Sequence, residues 1–320
     1  RLRRLRRTAT LREMVAETTL RPADLIAPLF VREGVTSPVP ISSLPGVSQL
    51  DLASLRSEVA QLVSVGVRSV ILFGIPLKKD PIGSGASDPD GIVQVAIREL
   101  RQCFGEEIVI LADLCLDEYT DHGHCGVLTP TGEVHNDDTL VRYQEVALAQ
   151  AAAGVDLVAP SGMMDGQVGA IRSALDSAGH EQVAILAYAA KYASALYGPF
   201  RDAVDVCIAG GGDRKAYQQD PRNLRESLEE VRADLAEGAD MVMVKPAVTY
   251  LDVVSHVRAM TDVPVAAYHV SGEYAMIKAA AEKGWIDGDA VALEQLFAVK
   301  RAGADLILTY FAKEAAQWIA

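Results

Sequence analysis

Two of the chain's nine lysines, Lys191 in AAKY and Lys245 in MVKP, each close an apolar run with the character of a buried strand. An ammonium is a poor choice for a buried structural position, because it loses several kcal/mol of hydration there. Taken singly, such a lysine is an ion-paired structural residue, a phosphate binder or a nucleophile. Taken as a pair at adjacent strand ends, the two carry a sharper chemistry. Like charges at close range disfavour ionisation of both, which frees an amine to attack a carbonyl. One lysine of this kind points to a Schiff-base aldolase; two point to two carbonyl substrates held together.

The elements that must position these lysines are legible as eight short runs rich in Val and Ile: 25–30, 68–73, 108–113, 155–160, 183–188, 240–244, 263–269 and 305–310. Each is nearly continuous in apolar character, as expected of parallel strands buried on both faces. Helical stretches lie between them. The clearest is 137–153, with Asp137 or Asp138 as its expected cap, Leu140, Tyr143, Ala147 and Ala151 on one face, and Gly154 after its last turn. AEGAD (236–240) and RAGAD (301–305) repeat one design, a glycine ending a helix just before a strand. Eight such units predict a closed α/β (β/α)8 TIM barrel. An open doubly wound sheet is the alternative, but no GxGxxG follows the first run.

The chain has 320 residues, 50% of them hydrophobic and 23% charged, with four cysteines and a formal net charge of −13. This composition excludes a disulfide-stapled module and a disordered chain, and the negative charge disfavours nonspecific nucleic-acid binding. No apolar run approaches the roughly 20 residues that span a bilayer. A soluble, cytoplasmic α/β protein is the expectation. No composition break marks a second domain, so residues 25–320 are expected to form one barrel behind an arm of residues 1–24. That arm opens RLRRLRR and lacks the apolar stretch of an export signal. Without its five arginines the rest of the chain carries −18. A second extra segment, about 197–225, holds Gly198-Pro199, Gly210-Gly211-Gly212 and Asp220-Pro221 and reads as a long active-site lid, with 204–209 part of it and not a strand.

Catalytic groups of such a barrel lie at the carboxyl ends of its strands. Those positions hold Asp113, Cys115, Asp117, Ser161, Lys191, Lys245, Ser271 and Tyr310. The motifs around them, SGMMDGQV (161–168), YAAKYASALYGPFRDA (188–203), DMVMVKPA (240–247), VSGEYAMIKAAA (270–281) and KRAGADLILTYFA (300–312), resemble those of the 5-aminolevulinate dehydratase (porphobilinogen synthase) family, and the likeness runs from PLF (28–30) to LTYF (308–311). The resemblance implies a lyase that joins two 5-aminolevulinate molecules into porphobilinogen, with loss of two waters, on the route to haem. It implies that Lys245 forms the Schiff base with the first substrate and Lys191 with the second. It also implies that Ser271 and Tyr310 hold the first substrate's carboxylate and that Asp113 and Ser161 hold its amino group. Arg201 and Arg214, with Lys215 and Gln218 nearby, would clamp the second carboxylate, a task suited to a guanidinium fork. Tyr188, Tyr197, Phe200 and Tyr268 would wall the pocket.

The resemblance also implies a metal loop. Zinc-dependent members supply three cysteines after the third strand; here Cys115 and Cys125 stand on either side of Asp117, with His122 and His124 close by. Two thiolates, a carboxylate or imidazole and one open position suit catalytic zinc and not magnesium, which prefers oxygen. Zinc is therefore expected at Cys115, Asp117 and Cys125, the alternative being two free cysteines and no catalytic metal. Cys103 and Cys207 are expected to have no role. A regulatory, allosteric magnesium, also implied by the resemblance, falls at Glu230. No organic cofactor is expected. The expected assembly is a homo-octamer, with the basic arm contacting a neighbour, and with neither nucleic acid nor membrane as partner. Two other readings remain at this point: a single-lysine aldolase on the same fold, and a noncatalytic metal- or partner-binding barrel.

Overall fold

All eight apolar runs are strands in the computed structural model, which describes residues 1–208 and 212–319. In chain order the strands are β1 (Leu25–Arg32), β2 (Val39–Pro40), β3 (Ser48–Leu50), β4 (Ser69–Ile75), β5 (Val109–Leu114), β6 (Leu157–Pro160), β7 (Ala184–Lys191), β8 (Met241–Lys245), β9 (Val265–His269) and β10 (Leu306–Thr309). Strands β1, β4, β5, β6, β7, β8, β9 and β10 pair in that order, all parallel, and β10 returns to β1, which closes a (β/α)8 barrel. The short β2–β3 hairpin is an addition that pairs along the end of β1.

The helices are α1 (Ala9–Met14), α2 (Leu52–Ser64), α3 (Ile92–Phe104), α4 (Asn136–Ala153), α5 (Gln167–Ser177) and α6 (Gly198–Ala203). They continue with α7 (Arg225–Ala236), α8 (Leu251–Met260), α9 (Ser271–Glu282), α10 (Gly288–Ala302) and α11 (Ala312–Trp318). None is long and apolar enough to cross a membrane. Alternation along the strands divides the core in two. Ile26, Phe30, Ile71, Phe73, Leu111, Leu186, Tyr188, Met243 and Tyr268 fill the barrel. Leu25, Ala27, Leu29, Val70, Leu72, Ile110, Val242 and Val244 pack outward against the helices. Each such aliphatic side chain contributes roughly 1.5–3 kcal/mol on burial, so both faces of each strand are specified by apolar contact.

Helix ends follow the expected chemistry with one correction. The cap of α4 is neither Asp137 nor Asp138 but His135, whose ring nitrogen accepts the Asp138 N–H. Gly154, Gly238 and Gly303 take left-handed φ values of 98°, 103° and 118° between a helix and the next strand, a conformation that costs glycine little. In the amino-terminal stretch no residue before Leu20 is buried. After α6, residues 204–208 form no strand; Ala209, Gly210 and Gly211 lie outside the described residues.

Candidate active site

Parallel neighbours in register point to the same face of a sheet. Lys191 and Lys245 are register partners across β7 and β8, and both are buried. Their alignment depends on an irregularity. Leu186 pairs with Met241 and Ala187 with Val242, but Ala190 pairs with Val244, so β7 carries one extra residue between Ala187 and Ala190. Strict alternation from inward-facing Tyr188 would aim Ala190 at the barrel interior and Lys191 outward. The bulge leaves both Ala189 and Ala190 in the outer layer and restores Lys191 to the inside.

The lysine ends meet in a small cavity of about 10 Å³ whose lining includes Asp113, Ser161, Phe200, Arg201 and Arg214. Lys245 is ringed by aromatic faces, its Nζ lying 4.4 Å from the Tyr268 centroid, 5.0 Å from Tyr188, and 5.2 Å from both Tyr197 and Phe200. Burial, and then the charge on Lys191, bring its pKa down to about 7. Lys191 moves the other way: burial pulls it down, but the Cys125 and Cys115 sulfurs and Asp117 outweigh that, and the net direction is up. The Lys191 ammonium donates to the Ser161 carbonyl.

Ser161 Oγ donates to Asp113 Oδ2 at 3.1 Å, while Asp113 Oδ1 has no partner. Burial lifts the Asp113 carboxyl to about 7, against the pull of Lys191. The loop after β6 can run close because residue 162 is glycine; a Cβ there would lie 1.6 Å from the Tyr143 hydroxyl, which donates to the Cys125 carbonyl.

The lid contributes Arg201 from α6, with its Nε buried and unpartnered at the cavity. Arg214 likewise has its Nε buried and unpartnered, but its other end is engaged. Its Nη2 lies 2.8 Å from Asp117 Oδ2, with both side chains 5% exposed, and donates to the Gly123 carbonyl at 2.7 Å. The expected substrate clamp and the expected metal ligand are thus ion-paired to each other. Gln218 is buried with Nε2 unpartnered. Lys215 is not brought to the cavity: its side chain is 75% exposed and pairs with Asp213 at 2.8 Å. Beyond it, the Gln219 N–H donates to the Lys191 carbonyl and the Ala193 N–H to the Gln219 carbonyl, which ties the far end of the lid to β7.

Ser271 and Tyr310 do not line this cavity. The Ser271 hydroxyl accepts the Phe200 N–H at 3.0 Å and donates to the Leu196 carbonyl at 3.3 Å, so the lid uses it. The Tyr310 hydroxyl meets that of Tyr268 at 3.2 Å. A larger cavity of about 330 Å³ opens beside Tyr310 and Tyr274, between β1, α2 and α11, but it contains neither of the paired lysines.

Cys115, Asp117 and Cys125 bring one ligand atom each within 4.8 Å of the others, all buried, which fits a soft cation held by two thiolates and a carboxylate. Asp113, Cys115 and Glu118 form a second such group. Glu118 escaped the sequence reading, although it follows Asp117 directly. It lines the cavity with both oxygens buried and unpartnered, and burial, then Asp117 and Asp113, push its carboxyl well up. The histidines are used elsewhere: His122 bonds the Pro81 carbonyl and His124 the Tyr217 hydroxyl, each at 3.1 Å. Cys103 and Cys207 are exposed. Glu230 is half-buried on α7 near Asp165, Glu226 and Glu237, which raise its carboxyl after burial does. It joins no close three-ligand group among the described residues.

Sequence and structure comparisons show the family to which the chain belongs. The sequence profile of the delta-aminolevulinic acid dehydratase family matches residues 1–318. A delta-aminolevulinic acid dehydratase of Streptomyces coelicolor is 60% identical over 317 residues, covering 98% of this chain and 96% of the relative. That of Mycobacterium tuberculosis is 56% identical over 319 residues, covering 99% and 96%. The crystal structure of the Toxoplasma gondii enzyme with its product porphobilinogen superposes with a TM-score of 0.97 at 46% identity, covering 99% of this chain and 91% of that one. With the paired lysines, the lid and the closed barrel on one side and whole-chain identity on the other, the chain belongs to the delta-aminolevulinic acid dehydratase family, the porphobilinogen synthases.

Proposed function

We propose that this chain carries out the family reaction, condensing two 5-aminolevulinate molecules to porphobilinogen with loss of two waters, through Schiff bases on Lys245 and Lys191. The observation that carries the reading is the register pairing of the two lysines on one face of the barrel. Each amine adds to a ketone carbonyl and water leaves, so each ketone carbon becomes an iminium. That group is an electron sink, and loss of an adjacent proton turns it into an enamine whose carbon attacks the other substrate. Lys245 suits the first substrate, because its amine is the one freed near neutral pH and its aromatic cage favours the cationic iminium.

Asp113 and Ser161 are suited to the first substrate's amino group, with Asp113 Oδ1 left to accept. Arg201, which lines the cavity and has its Nε unpartnered, is suited to the second carboxylate. Arg214 can offer the same carboxylate its unpartnered Nε while its Nη2 stays on Asp117. Ser271 and Tyr310 take the first carboxylate in this reading, which requires the Ser271 hydroxyl to exchange its lid contacts for the substrate. Gln218 supports the second subsite, and Lys215 acts outside it. Cys115, Asp117 and Cys125 would hold zinc, which supplies a Lewis acid beside the second subsite. Glu230 is assigned the regulatory magnesium. The protein works as a cytoplasmic homo-octamer, a reading supported by its four free cysteines and its exposed amino-terminal arm.

The test is to incubate the protein with 5-aminolevulinate, reduce with borohydride and map the modified lysines. Both Lys245 and Lys191 are expected to carry label. Label on neither would sink the mechanism, and one labelled lysine without pyrrole product would return the chain to the aldolase reading.

A further inference from the structure

The helix that carries Arg201 ends in a clamp built from the barrel. A helix leaves its last carbonyls without intrahelical partners, and α6 spans only six residues, Gly198–Ala203. The carbonyls of Ala203, Val204 and Asp205 are all taken by side chains from β3 and from the loop after β4. Gln49 of β3 donates to the Ala203 carbonyl at 2.8 Å. Lys79, half-buried after β4, donates to the Val204 and Asp205 carbonyls at 3.1 and 2.9 Å. Arg32 of β1 bonds both Gln49 Oε1 and the Asp205 carboxylate at 2.6 Å. Asp205 itself sits at φ +51°, a left-handed conformation that a non-glycine residue adopts at a cost.

We infer that Lys79, with Arg32 and Gln49, positions Arg201 for the second substrate by fixing the end of its helix. Lys79, Arg32 and Gln49 are not among the residues that line the lysine cavity, so the clamp acts through Arg201. A guanidinium fork binds a carboxylate well only at the right angle and distance, and small misplacements of a binding group cost rate steeply. Lys79 supplies what a glycine cap supplies elsewhere: it satisfies the terminal carbonyls and holds a left-handed residue in place. The inference rests on the reading of Arg201 as a second-substrate ligand, and the test separates the two.

Lys79→Met keeps the stem and removes the donor. It is expected to raise KM for 5-aminolevulinate roughly tenfold with much less change in kcat, to leave borohydride labelling of Lys245 by one equivalent of substrate intact, and to be largely rescued as Lys79→Arg. Arg201→Ala is expected to raise KM by at least as much, and adding Lys79→Met to it is expected to raise KM no further. If Arg201→Ala raises KM and Lys79→Met does not, the clamp is overturned and the Arg201 reading stands. If Arg201→Ala leaves KM unchanged, both fall. Additive effects in the double variant, or equal loss of Lys245 labelling, would make Lys79 a general structural residue and overturn the inference.

Discussion

Lys191 and Lys245 occupy partner positions across β7 and β8, and a one-residue bulge in β7 is what turns Lys191 to the inside. The two buried ammonium groups do not share their burden equally. Lys245 lies among aromatic rings and drops to about 7, whereas Lys191 has the sulfurs of Cys115 and Cys125 and the Asp117 carboxylate to hold its proton. In the proposed mechanism this difference makes Lys245 the lysine expected to add to substrate first.

The first prediction is the pH dependence of that order. A lysine attacks as the neutral amine, so single-turnover trapping at Lys245 should climb between about pH 6 and 8 and then level off, with Lys191 labelled later at every pH in that range. Lys245→Ala should lower turnover by on the order of 10³-fold or more. A trapping profile at Lys245 still rising steeply near pH 10 would contradict the depressed amine.

The Arg214–Asp117 pair predicts a stability penalty. Removing one partner of a buried pair strands the other's charge, at a cost of about 3–5 kcal/mol. Arg214→Gln should therefore lower the denaturation midpoint strongly, and Asp117→Asn in the same chain should recover part of the loss. Simple additivity of the two in a double-mutant cycle would show that they are not coupled.

The thiol loop predicts metal dependence. A chelator should abolish activity and zinc should restore it, with magnesium unable to substitute at Cys115 and Cys125. Cys115→Ser should weaken zinc binding measured directly by competition with a chromophoric chelator. Full activity in chelated, metal-free protein would refute the zinc reading.

Asp234 predicts a stability trend. Its carboxyl is buried on α7, and burial, then Glu237 and Glu230, raise it to about 8. The unfolded chain ionises this group near its ordinary value of 3.8, so its contribution to folding is fully present below about pH 4 and is lost as pH rises towards 8. Asp234→Asn should remove that loss. It should raise stability above pH 8 by roughly 1–2 kcal/mol, a few degrees in Tm, with little change at pH 4. Equal shifts at both pH values would argue against a neutral Asp234 in the fold.

Strand positions, the closed barrel and the two lysines were legible in the chain itself, because nearly continuous apolar runs and glycines at helix ends are local signals. The residues at strand ends followed from the architecture. Family membership rests on the same local motifs. What sequence could not state were the interactions that depend on how distant segments meet. Alternation from Tyr188 would have turned Lys191 outward; only the register against β8 reveals the bulge that corrects it. Arg214 and Asp117 are 97 residues apart, and nothing local to either shows that a lid cation and a loop carboxylate neutralise each other. Glu118 has no local signal that sets it apart, and only the fold shows its buried, unpartnered carboxylate at the cavity. Lys215 and Gln218 stand three residues apart in one short lid stretch, yet one faces solvent and the other is buried. The side-chain types and their order along the chain determined which chemistry is available. Tertiary packing decided which groups lose their water and which charges meet, because desolvation and Coulomb interactions depend on distance through space and not along the chain.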